Sequence, residues 1–135
     1  MRDKVDTAER AAQPVATCLI VDDSRVIRKI SRRIAQDLGY EPLEAQDGEE
    51  ALALCRRAMP SLVLTDWDMP EMDGIEFVRQ LRAIPCSRAP VIVFCTSKSD
   101  ARDIHRAIDA GADDYIVKPF DEAGLRAKLE KSQPR

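Results

Sequence analysis

No apolar run in this sequence approaches the roughly 18 residues that a membrane span requires, and the start, Met1-Arg2-Asp3-Lys4-Val5-Asp6, lacks the apolar core of a signal peptide. A cytoplasmic location without a membrane partner is the expectation. No Cys-x-x-Cys pair occurs either. Cys18, Cys55, Cys86 and Cys95 fall mostly inside apolar segments, where a free cysteine behaves as a small hydrophobe, so they read as reduced core or near-core residues. A single histidine, His105, argues against a zinc site built from His and Cys; with nothing to pair with, it reads as a surface or boundary residue. A basic block is missing too. Charges of both signs are mixed along the chain and sum to -3, which disfavours direct nucleic-acid binding.

What is present fits one globular domain: 135 residues, 44% hydrophobic and 33% charged. Residues 1–15 are charged, alanine-containing and interrupted by Pro14, and read as a mobile N-terminal extension. Thr17–Val21 is a buried-strand candidate that ends in Asp22-Asp23-Ser24. Ile27, Ile30, Ile34 and Leu38 then recur at helical spacing, with Gly39 as the C-terminal cap. Pro42–Ala45 is a weak strand. Asp47 opens a helix with Glu50 three residues later, a capping-box pattern, and Ala51, Leu54, Cys55 and Ala58 form its inward face before Pro60. The apolar run Leu62–Thr65 ends abruptly in Asp66, and Trp67-Asp68-Met69-Pro70 follows. Asp73-Gly74 starts a helix with Ile75, Val78 and Leu81 inward, and Pro85 and Pro90 bracket a loop.

Val91–Cys95 is the most strand-like run, β-branched and aromatic, and it ends in Thr96-Ser97. The next helix carries Ala101, Ile104 and Ile108 on one face and stops at Gly111. Tyr115–Val117 is a short last strand ending in Lys118-Pro119, and Asp121–Lys131 is a final helix with Leu125 and Leu129 inward. Five strands alternating with five helices predict an α/β fold: a doubly wound parallel sheet with right-handed crossovers and both faces covered. Ligands of such sheets bind beyond the carboxyl ends of the strands.

Four of those ends carry polar side chains: Asp22-Asp23, Asp66, Thr96 and Lys118. Singly, each has an ordinary explanation as a helix cap, a local hydrogen bond or a solvated charge. Together they share one edge, where three carboxylates repel one another unless a cation sits among them. Hard oxygen ligands of this kind favour Mg²⁺, which binds readily to phosphate oxygens. Lys118 supplies a second positive charge and Thr96 a hydroxyl donor. A carboxylate nucleophile, two cations and a donor are what phosphoryl transfer to an aspartate requires, with Asp66 as the candidate nucleophile.

The stretches Val21-Asp22-Asp23-Ser24, Thr65-Asp66-Trp67-Asp68-Met69-Pro70 with Asp73-Gly74, Thr96-Ser97, Gly111-Ala112, Tyr115 and Lys118-Pro119-Phe120 resemble, in order and spacing, the receiver domain of two-component response regulators of the CheY type. The resemblance covers residues 16–131, leaving 132–135 as a short tail without a second domain, so a stand-alone, single-domain regulator is the expectation. It implies a flavodoxin-like sheet of strand order 2-1-3-4-5. It also implies that Asp66 is the phosphoacceptor, that Asp23 binds Mg²⁺ directly with Asp22 helping through water, and that the backbone carbonyl of Asp68 completes the protein ligands. Thr96 would hydrogen-bond the phosphoryl group and Lys118 pair with it across a cis Lys118-Pro119 bond, while Thr96 and Tyr115 act as the switch. The implied partners are a histidine kinase or histidine phosphotransfer protein and a downstream protein target, in chemotaxis or another phosphorelay, with the chain a monomer or weak dimer. Receivers are phosphoacceptors that lose their own phosphoryl group rather than turnover enzymes.

Asp68 and Lys98 depart from the more familiar pattern. Asp68 adds a fourth acid near the site and Lys98 lies two residues after Thr96, which suggests an Asp68–Lys98 pair in the unphosphorylated state with the phosphoryl group competing for Lys98. Trp67, beside the metal site, should report Mg²⁺ by fluorescence. Two other readings stand beside the receiver. Asp66-Trp67-Asp68 after an apolar strand also looks like the D-x-D of haloacid-dehalogenase-type Mg²⁺-dependent phosphatases, although Pro70 and the earlier acid pair depart from that pattern. A phosphorylation-independent interaction module would keep the fold without the chemistry.

Overall fold

The computed structural model describes residues 16–132; the N-terminal extension and residues 133–135 lie outside the described residues. Ten elements alternate along the chain: β1 (Thr17–Val21), α1 (Arg25–Asp37), β2 (Glu41–Ala45), α2 (Gly48–Arg57), β3 (Leu62–Asp66), α3 (Gly74–Arg82), β4 (Val91–Thr96), α4 (Ala101–Ala110), β5 (Asp114–Val117) and α5 (Glu122–Lys131). The strands form one parallel sheet in the order β2-β1-β3-β4-β5. β3 lies in the middle and is buried at every position, as a strand covered on both faces must be. β2, with Pro42 inside it, is the partly exposed edge, where a residue without an N–H is tolerated.

Alternation along the strands divides the core in two. Leu19, Val21 and Val63 join Leu52, Cys55, Ile75, Phe77, Val78, Leu81, Ala107 and Ala110, so α2, α3 and α4 cover one face. Cys18, Ile20, Leu62 and Leu64 join Ile34, Ala35, Leu125 and Leu129, so α1 and α5 cover the other.

The helix starts follow their local chemistry. Ser24, Asp47, Asp73 and Asp121 each accept a backbone N–H two or three residues into the helix they open. Glu50 reaches back to the Gln46 amide at 3.2 Å, one residue before the cap itself. Gly39 and Gly111 close α1 and α4 with φ of +94° and +125°, a conformation that glycine adopts without steric cost.

The packing departs from the periodic reading at three places. In α4 the buried residues are Ala107 and Ala110, Ala101 is exposed, and Ile108 is left 45% exposed. These small residues join the cluster that already holds Phe94 and Trp67. In α2, Ala51 and Cys55 face inward as expected and Leu54 is half-buried against the same cluster, but Leu52 is buried with them and Ala58 has left the helix in an extended conformation. Cys86 is exposed in the loop before β4, unlike the three cysteines in the core.

Gly74 begins α3 against the end of β3. Its amide donates to the Trp67 carbonyl at 2.8 Å. A Cβ at position 74 would lie 2.4 Å from the Asp66 carbonyl oxygen and 2.6 Å from a Phe94 ring carbon. Neither the backbone oxygen nor the packed ring has room to give way. Gly74→Ala should therefore cost about 3 kcal/mol, at the upper end of ordinary overpacking, and lower the melting temperature by on the order of 10 °C. An unchanged urea midpoint for this variant would contradict the packing.

Candidate functional site

Register places the polar strand ends at one level. β1 pairs Val21 with Thr65, so Asp22 stands beside Asp66, and β5 pairs Val117 with Thr96, so Lys118 follows directly beyond Thr96. Asp22 and Asp66 are buried, Asp23 is exposed, and one carboxylate oxygen from each of the three lies within 4.8 Å of the others. Lys118 crosses the cluster: its Nζ is 3.2 Å from Asp66 Oδ1 and 3.4 Å from Asp22 Oδ2.

Backbone bonds fix these groups. The Asp22 amide donates to the Ala45 carbonyl at 3.1 Å, and Asp22 Oδ1 accepts the Ser24 amide at 2.8 Å as α1 begins. The Lys118 amide donates to the Thr96 carbonyl at 2.7 Å, tying the ends of β4 and β5 just before the cis Lys118-Pro119 bond. Thr96, buried, uses its hydroxyl to accept the Lys98 amide at 2.9 Å. Lys98 Nζ stands 3.6 Å from the Asp68 carboxylate, the pair suggested by their positions in the sequence. Among the described residues no backbone N–H bonds the Asp68 carbonyl, which leaves that oxygen available as a ligand.

Tyr115 is not part of the cluster. It pairs with Phe94, two residues before Thr96, and is half-buried at the edge of the sheet with the Lys128 ammonium 5.8 Å from its ring. Trp67 is buried, stacked at 42° against Phe94, and has cations from Lys98 and Arg106 near its ring. Two contributors carry no local sequence signal. The Arg28 guanidinium donates to the Asp22 carbonyl at 2.7 Å and to Glu44 at 3.3 Å, and Arg106 reaches Trp67 from α4. Both depend on how a helix lies on the sheet.

Burial, and next the Asp22 carboxylate, push the Asp66 carboxyl above the usual range; the Lys118 ammonium and the Trp67 amide oppose this without cancelling it. Burial also weighs on the Lys118 ammonium, yet Asp22 and Asp66 outweigh it and hold Lys118 above the ordinary lysine value. One lysine cannot balance three carboxylates. The remaining negative charge, presented by oxygen atoms alone, suits a hard divalent cation such as Mg²⁺, with Asp22, Asp23, Asp66 and the Asp68 carbonyl as the available donors. The core thiols are chemically quiet: burial pushes Cys18 and Cys95 up to about 12 and Cys55 to about 11.

Comparison with known proteins agrees with this arrangement. A family model described as the response regulator receiver domain matches residues 18–130. The chain is 40% identical over 114 residues to chemotaxis protein CheY1 of Helicobacter pylori, covering 83% of this chain and 92% of that protein. It is also 40% identical over 111 residues to a probable transcriptional regulator, ycf27, of Porphyridium aerugineum, and there it spans only 45% of the relative's length. Among solved structures, chemotaxis response regulator CheY4 of Vibrio cholerae superposes with a TM-score of 0.81 at 34% identity, over 88% of this chain and 99% of that one. The signal receiver domain of a histidine kinase from Syntrophus aciditrophicus gives 0.75 at 33% identity, over 86% and 88%.

A carboxyl whose pKa is raised by folding adds stability below its unfolded value, near 4, and that contribution is lost as the pH rises through the higher folded value. In EDTA, Asp66→Asn should thus melt above the wild type at pH 7–8, and the difference should close as the pH is lowered to about 4. Paired thermal melts across that range check it. A variant less stable than wild type at pH 8 would show that Asp66 is not a strained charge.

Proposed function

The chain belongs to the response regulator receiver family, and on that premise we propose that Asp66 accepts a phosphoryl group from a histidine kinase or histidine phosphotransfer protein, with Mg²⁺ as cofactor. The observation that carries this reading is the Lys118 ammonium 3.2 Å from Asp66 and 3.4 Å from Asp22 at the carboxyl end of the central strand. An Asp66 oxygen attacks phosphorus in line with the phosphohistidine P–N bond; the P–O bond forms as P–N breaks, and the departing imidazole keeps the electron pair and takes up a proton. Mg²⁺, when bound, would neutralise charge on the phosphoryl oxygens. Asp23 and Asp66 would hold the ion directly, Asp22 would help through water, and the Asp68 carbonyl would complete the protein ligands. Lys118 pairs with a second phosphoryl oxygen, and the Thr96 hydroxyl turns to donate to a third.

Turning Thr96 and drawing Tyr115 inward shifts the population between two arrangements of the surface around α4, β5 and α5, where a partner protein reads the state. No helix among the described residues is long and apolar enough to cross a membrane, and the reading places the chain in the cytoplasm. Membership of this family sets aside the haloacid-dehalogenase-type reading of Asp66-Trp67-Asp68. The chemotaxis names of several relatives favour a chemotaxis-type output.

Incubation with acetyl phosphate and Mg²⁺ should add the mass of one phosphoryl group to the intact protein, with a change in Trp67 fluorescence. Asp66→Asn and EDTA should each abolish the gain. A folded protein that binds Mg²⁺ without gaining mass would instead support the phosphorylation-independent module. Mg²⁺ at tenfold its dissociation constant should also stabilise the wild type by about 1.4 kcal/mol.

Lys98 bears on how long the modification lasts. Its Asp68 partner has a side chain 65% exposed, and such a pair is weak, so an incoming phosphoryl group competes for the lysine effectively. Lys98→Ala should alter the lifetime of the aspartyl phosphate severalfold in a time course of intact mass; the same lifetime in variant and wild type would remove Lys98 from the chemistry.

A further inference from the structure

Trp67 directly follows Asp66 and is only 3% exposed, yet two cations from elsewhere in the chain are held near its ring. Lys98 Nζ is 5.6 Å from the ring centroid and Arg106 Cζ is 5.5 Å away. Their carboxylate partners hold them loosely: Lys98 meets Asp68 at 3.6 Å and Arg106 meets Asp103 at 3.6 Å, both with substantial exposure. Pairs of that kind contribute little. The indole face is therefore a main anchor for both cations, at a distance where the ring quadrupole attracts a positive charge.

The two sides of this contact are attached differently. The Trp67 backbone is fixed to α3 by the 2.8 Å bond from the Gly74 amide, at a point where the chain has no spare room. The ring itself is packed on Phe94, with centroids 5.4 Å apart. The cations belong to the segment that follows Thr96, and that segment is tied to the site by the Lys98 amide bonded to Thr96 Oγ1 at 2.9 Å. When the hydroxyl turns toward a phosphoryl group, that tie changes and α4 is released from its position over a stationary indole. A contact between an anchored ring and a movable cation thus has different energies in the two states, the condition for it to bias the equilibrium.

We propose that Arg106 is a positioning residue: through the face of Trp67 it holds α4 in the arrangement of the unphosphorylated protein and so restrains occupation of Asp66 by a phosphoryl group. This rests on the reading of Asp66 as phosphoacceptor. It gives α4 a branch that leaves Thr96 through the segment carrying Lys98 and does not pass through Tyr115.

Titration of the full chain with beryllofluoride, a stable phosphoryl mimic, in saturating Mg²⁺ tests it, read by calorimetry so that the changed surroundings of Trp67 do not distort the signal. Arg106→Ala should bind roughly two- to fivefold more tightly than wild type, the factor corresponding to a contact of about 0.5–1 kcal/mol. Arg106→Lys, which keeps the cation, should stay closer to wild type. In a Trp67→Leu background the Arg106→Ala effect should disappear. Unchanged or weaker binding by Arg106→Ala overturns the proposal, as does an effect that persists without the indole, because the charge would then act without the ring. Wild type that binds no beryllofluoride would overturn the phosphoacceptor reading and the restraint together, whereas binding by wild type that is lost in Asp66→Asn preserves the first and isolates the second.

Discussion

Two buried carboxylates share a single lysine at the carboxyl end of the sheet, and much of the molecule serves to keep them there. Asp22 and Asp66 come from neighbouring central strands, so parallel register brings them level, and Lys118 arrives from the sheet edge to stand within 3.4 Å of both. Like charges at such separation in a poorly hydrated place raise the cost of ionisation. The fold accepts that cost at one spot because the strands beneath are held by two apolar layers, one on each face. The balance is incomplete: one lysine stands among three acids, and the remaining charge, presented by oxygen atoms alone, suits a hard divalent cation.

The surroundings of this cluster are stiff on one side and adjustable on the other. The β3 end is wedged by Gly74, Phe94 and the indole of Trp67, with no spare volume. The β4 end leads instead into a loop joined to the site by one hydroxyl–amide bond and by one weak, partly exposed ion pair. A phosphoryl group on Asp66, as proposed, would meet a fixed floor and a compliant wall, and the compliant side is the one that leads to α4 and β5.

The strands and helix starts were legible because their signals are local. An apolar run closed by an acid, an Asp three residues before a Glu, and a glycine after the last inward leucine each act over a single turn. The grouping of Asp22, Asp23, Asp66, Thr96 and Lys118 was equally legible, since in a parallel doubly wound sheet all strand ends of one polarity fall on one edge. The orientation of α4 was not. Its large residues, Ile104 and Ile108, repeat with helical period, yet small Ala107 and Ala110 face the core where Trp67 and Phe94 already occupy space. Arg28 on the Asp22 carbonyl and Arg106 on Trp67 were hidden for the same reason: a long side chain finds such partners only after two elements have packed.

The bond from the Gly74 amide to the Trp67 carbonyl closes the mouth of the loop between β3 and α3. Inside that mouth, Pro70, Glu71 and Met72 make a tight turn with Glu71 at a φ of +68° and the Met72 amide 2.7 Å from the Pro70 carbonyl. The segment is thus a small closed ring built onto the end of the strand, with its circumference set by the two residues that seal it. Adding or removing a residue would move the seal, and Trp67 and Met69, which the ring sends into the core, would move with it.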